Sequence, residues 1–167
     1  MKPSLIYLQK QFSHYQSRPI NGIYIGLDGD NIYRWAVTIY GPQNSPLEGG
    51  LLRGIMSFPD DFPHSPPEFK FLTPMYHPNV YPDGKMCISI LHSASDTQDI
   101  ELSGEHPDER WSPAHSIESV LISIVNVLVE PNPNSPANVD AAVLFRDNFK
   151  KYKSRQRRIA EDSLDCC

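Results

Sequence analysis

The sequence predicts an α+β domain in which helices pack on one antiparallel sheet, and three observations carry that prediction. Apolar residues recur at three- and four-residue spacing near the start and again around residue 120, the period of an amphipathic helix. Between those stretches lie four short β-rich runs separated by Gly, Pro, Asn and Asp, the pattern of an antiparallel meander. No internal repeat is present and no linker divides the chain, so one domain over 1–167 is expected.

Residues 3–17 set Leu5, Leu8, Phe12 and Tyr15 on one face, with Pro3 suited to a first helical turn and Pro19 beyond the end. The runs 23–27, 33–40 and 51–58 are strands, divided by 28-DGDN-31 and 41-GPQNSP-46 and closed by 59-PDDFP-63. Residues 68–72 alternate cleanly and make a fourth strand, and Pro66 and Pro67 before it suit the edge of a sheet. From 72 to 116 there is little periodicity, and a connection that long in a compact domain is usually functional. Ser116 then caps a central helix whose Ile117, Val120, Leu121, Ile124, Val125 and Leu128 form a wide apolar stripe ending before Pro131. After 130-EPNPNSPAN-138, one further helical region begins near Val139.

Composition narrows the function classes. Hydrophobic residues are 40% and charged residues 21%, values of a folded globular chain. A net charge of -5 argues against nucleic acid as partner, because phosphate binding requires a basic surface. Cys87 stands alone inside the chain and Cys166 and Cys167 adjoin at its end, which builds no disulfide framework and fits a reducing compartment. The first residues lack the apolar core of a signal peptide, and no window is long and apolar enough for a membrane span. A cytosolic or nuclear protein is expected.

The chemistry concentrates in 77-HPNVYPDGKMCISILH-92, where Asn79 precedes Cys87 by eight residues. A cysteine is most often a small core hydrophobe, and 86-MCISIL-91 fits that reading. A hydrolase needs a base, which His77 or His92 offers, yet no nucleophile-elbow or protease signature surrounds Cys87. Asn79 either holds a turn or donates to a developing oxyanion. Pro78, Pro82 and the Asp83-Gly84 bend stiffen the segment, and a rigid loop beside a thiol suits acyl transfer through a thioester.

Together with the Trp35 strand, 41-GPQNSPLEGG-50, 58-FPDDFPHSPPEFKF-71, 83-DGKMCISIL-91, 111-WSPA-114 and 131-PNPNSPAN-138, this segment resembles the ubiquitin-conjugating (carrier) enzymes over nearly the whole chain. The resemblance implies the α+β fold of that family: an N-terminal helix, a four-stranded antiparallel meander, a long active-site loop, and central and C-terminal helices. It implies that Cys87 accepts ubiquitin as a thioester from the activating enzyme, and that a lysine of a protein substrate or of another ubiquitin then attacks. Asn79 would shape the loop and stabilise the oxyanion, and Trp35 would be structural. No cofactor or metal is implied, and ATP binding enters as part of the expected pathway. A thioester is already activated toward amines, so no strong base on the thiol is called for; position and an oxyanion partner are.

Between Cys87 and Trp111 lies the insertion 93-SASDTQDIELSGEHPDE-109, with six acids and neither lysine nor arginine. On its own such a segment reads as a solvated loop. It is also similar to the acidic-loop subgroup that builds ubiquitin chains, including members serving endoplasmic-reticulum-associated degradation and cell-cycle control. Many members carry an aspartate after the central helix, where Ser135 stands here; Asp96 first, or Asp99, with His92 beside them, is expected to supply the missing carboxylate. The docking surface for the activating enzyme and a RING-type ligase would comprise Gln9, Pro63, His64, Ser112, Pro113 and Ala114. Residues 146–158 hold seven basic residues against one acid: a solvated helix face, or a contact for an acidic partner or membrane surface. Expected locations are the cytoplasm, the cytosolic face of the endoplasmic reticulum, and the nucleus.

Overall fold

The computed structural model describes residues 1–96 and 104–165. Helix α1 (Pro3–Ser17) leads into strands β1 (Ile23–Asp28), β2 (Asn31–Tyr40), β3 (Leu51–Ser57) and β4 (Glu68–Phe71), then α2 (Ile117–Val129), α3 (Val139–Asp147) and α4 (Phe149–Ser163). The sheet runs β1-β2-β3-β4, each neighbour antiparallel, so the four predicted runs pair in chain order. Among its described residues, the long connection carries two single 3-10 turns, Ser89–Leu91 and Pro107–Glu109.

Alternation decides which strand residues enter the core. In β2, Trp35, Val37 and Ile39 are buried while Arg34 and Tyr40 are exposed, the two-residue period of a half-solvated sheet. Helix α1 delivers Leu8 and Tyr15 to the same core, and Phe12 meets the Trp35 ring edge-on at 5.4 Å. Central helix α2 buries Ile117, Val120, Leu121, Ile124 and Leu128, five of the six expected positions, with Val125 half-buried at the margin. Ser116 caps it through Ser119 N, and Ser119 returns the bond to Ser116 N. A reciprocal cap of this kind is worth about 1 kcal/mol.

The C-terminal region departs from the single helix expected from Val139. Asn148 closes α3 with non-helical backbone (φ -145°, ψ 72°), and its side chain accepts from Lys151 N to start α4. Asparagine competes with the helix for its own hydrogen bonds, so it breaks a run of helix formers and caps the next one. Helix α4 buries Tyr152, Gln156, Ala160 and Ser163, and Ser163 Oγ accepts from Leu51 N at 2.9 Å on β3. Most of its basic side chains face water, with Arg155 stacked 3.6 Å over the Tyr76 ring.

Candidate active site

His77 is the buried foundation of the site. Its side chain is fully enclosed; Nε2 donates to Val127 O near the end of α2 at 3.0 Å, and Nδ1 accepts from Asn79 N at 3.0 Å. That pair of bonds fixes the neutral tautomer, and burial pushes the imidazole down to about 4. His77 is therefore spent on structure and is no base for Cys87. Pro78 O accepts from Ala137 N and Asn138 N, while Asn79 Nδ2 donates to Asn132 O at 2.8 Å and Oδ1 accepts from Asn132 N at 2.9 Å. The His-Pro-Asn turn is thus stitched to the turn between α2 and α3. An asparagine amide carries two N–H bonds, so one remains for another acceptor.

Backbone pairing carries the thiol to that turn. Cys87 N donates to Asn79 O and Met86 N to Phe69 O, both at 2.9 Å. Gly84 makes the bend between them possible: its φ is +99°, and a Cβ there would lie 2.3 Å from Phe71 O. The 3-10 turn after Cys87 then brings the chain back, leaving Cys87 Sγ 3.6 Å from His92 Nε2. Behind His92, Nδ1 donates to both Glu105 oxygens at 2.9 and 3.0 Å. Behind Glu105 stands Arg110, whose side chain is wholly buried, with Nη2 3.2 Å from Oε2. Its Nη1 donates to Ser93 O and Asp96 O, both at 3.0 Å.

The four side chains form a chain of alternating charge. The His92 imidazole holds the Cys87 thiol below its ordinary range, with Tyr81 as a further donor, while partial burial opposes both. His92 is correspondingly raised to about 9, first by Cys87 and then by Glu105, against desolvation. Both shifts favour a thiolate beside an imidazolium, the reactive form of a cysteine nucleophile, over the neutral pair.

An open cleft of about 840 Å³ lies over this group, with Asn79, Tyr81, Asn134 and Ser135 on its walls. Ser135 sits there with φ +51°, at the place expected for the missing carboxylate. Among the described residues, the acid set against His92 is Glu105. Asp96 has an exposed side chain and contributes its backbone carbonyl to Arg110; Asp99 lies outside the described residues, as do Cys166 and Cys167. Glu105 was missed because nothing in the acidic string singles it out; the signal available was Arg110, the first cation after six acids. Of the expected docking residues, Gln9, His64, Pro113 and Ala114 are exposed, and Pro63 and Ser112 half-buried. Trp111 Nε1 donates to Pro63 O at 2.9 Å, and the rings of Tyr7, Phe62 and Trp111 meet in sequence as tilted pairs at 5.7 Å, uniting α1 with both loops.

A helix-flanked meander that presents an activated thiol on a stiff turn defines an acyl-carrying transferase. The ubiquitin-conjugating enzyme family model matches residues 7–160, and the chain belongs to that family. It is 46% identical over 162 residues to ubiquitin-conjugating enzyme E2 13 of Arabidopsis thaliana, covering 96% of this chain and 95% of that one. Ubiquitin-conjugating enzyme E2 15 of Schizosaccharomyces pombe is 44% identical over 159 residues (95% and 93%), and probable ubiquitin-conjugating enzyme E2 7 of Caenorhabditis elegans 42% over 156 (93% of each). Its activity is ubiquitin conjugation, with ubiquitin, an activating enzyme and ligases as the partner classes. No described helix is long and apolar enough to cross a membrane.

Proposed function

We propose that Cys87 takes ubiquitin's C-terminal carboxyl from the activating enzyme by thioester exchange and passes it to a lysine of a substrate or of another ubiquitin. The observation that carries this is the Cys87–His92 contact at 3.6 Å, on an open cleft and braced by Glu105. A thiolate needs no base to attack the incoming thioester. ATP binding belongs to the activating enzyme, since thioester exchange conserves energy already captured. Asn79 orders the loop and offers its free N–H to the oxyanion as the amine adds. His92 takes up the released proton, and Asp96 and Asp99 hold the incoming ammonium until it sheds one.

A RING-type ligase docks on Gln9, Pro63, His64, Ser112, Pro113 and Ala114, and the long acidic segment favours chain building for proteasomal degradation, including at the cytosolic face of the endoplasmic reticulum. The joined surface of α1 and two loops supports the first point, and the length of the 93–109 insertion the second. Incubation with ubiquitin, activating enzyme and ATP should yield a thiol-reducible adduct on a non-reducing gel that Cys87→Ala abolishes. An adduct that survives Cys87→Ala, or none with wild type, overturns the assignment.

A further inference from the structure

Aminolysis of a thioester requires little of a base. A neutral amine attacks unaided and loses its proton afterwards, so position and an oxyanion partner suffice. The site nevertheless holds an oriented imidazole. Glu105 grips Nδ1 with both oxygens, which turns Nε2 toward Cys87 Sγ. Arg110 pins Glu105 from within the core and ties down Ser93 and Asp96 on the same loop. A nucleophile, a histidine and a carboxylate in hydrogen-bonded series is the arrangement that acylates and deacylates hydroxyls, because an alcohol is a weak nucleophile until its proton is removed during attack.

From this geometry we infer that the charged protein also transfers its acyl group to hydroxyls, serine or threonine side chains or polyols, with His92 Nε2 as general base. The inference rests on Cys87 carrying the thioester. Acylation of Sγ removes its negative charge, the first of the two partners that favour the imidazolium, while Glu105 stays on Nδ1. Nε2, 3.6 Å from Sγ, is in its unprotonated form the acceptor beside the acyl carbon bonded to that sulfur. The hydroxyl oxygen bonds to that carbon while its proton passes to Nε2. The carbon–sulfur bond breaks, and the thiolate leaves beside the imidazolium, restoring the resting pair. The product is an oxyester, and water is the competing hydroxyl in the open cleft.

The test charges the protein with ubiquitin, removes the activating enzyme, and offers blocked lysine, blocked threonine or glycerol in separate arms. Products are read by intact mass before and after neutral hydroxylamine, which cleaves esters and spares isopeptides. Hydroxylamine-labile adducts are expected in both alcohol arms, threonine reporting side-chain hydroxyls and glycerol a polyol. His92→Gln should lower ester formation on the order of a hundredfold, against a smaller loss of lysine discharge. Free ubiquitin alone in the alcohol arms, or an ester-to-lysine ratio unmoved by His92→Gln, overturns the inference while lysine discharge leaves the conjugating activity standing. Failure to charge overturns both.

Discussion

Acidification should destabilise the fold by way of His77, the residue that holds the His-Pro-Asn turn. The imidazole is sealed in the core, donating to Val127 O and accepting from Asn79 N, and it titrates at about 4 against about 6.5 for a solvated histidine. The folded value is depressed, and the neutral form is the one the core holds. Its contribution is therefore complete above pH 6.5 and is lost as pH falls toward 4. Each pH unit in that window removes about 1.4 kcal/mol, so going from pH 7 to pH 5 costs about 2 kcal/mol. With a urea slope of about 2 kcal/mol/M, the unfolding midpoint falls by about 1 M. In His77→Gln the amide preserves a donor and an acceptor but does not titrate, so the variant starts less stable and loses less on acidification. Urea unfolding of both proteins at pH 7 and pH 5 isolates the difference, because all other titrating groups are shared. Equal losses in the two proteins would refute the reasoning.

Arg110→Met removes a buried cation from Glu105 and from two carbonyls, a loss of about 3 kcal/mol and roughly 6–12 °C in Tm; a calorimetric shift under about 2 °C would show that the guanidinium does not hold the loop. Arg110→Lys should not restore it, since one ammonium does not reproduce a planar fork. His92→Gln should move the pH profile of Cys87 alkylation by iodoacetamide upward, because the largest stabiliser of the thiolate disappears while burial remains; an unmoved profile would remove His92 from the account.

How much was legible in the sequence differs between scaffold and site, and the division is physical. Strands and the central helix announce themselves by period, and Ser116 and Pro131 bracket α2 because cap and breaker act locally. Asn148 carries a local signal too, but helix formers on both sides mask it. Cys87 and Asn79 stand out because turn chemistry isolates them, and His92 by its closeness to the thiol. Glu105 has no such mark: six acids share one string, and what selects among them is a buried arginine and the return of the chain. The partners of His77 and Asn79 lie 50 and 53 residues away, separations at which no sequence period operates.

The gathering of Ser93, Asp96 and Glu105 by one guanidinium has a consequence for how such a chain can diverge. With both flanks of the insertion anchored at a common point, residues threaded between the anchors can be gained, lost or exchanged without disturbing the alignment of sulfur and imidazole. Natural variation can therefore change that stretch while the reacting atoms stay where they are.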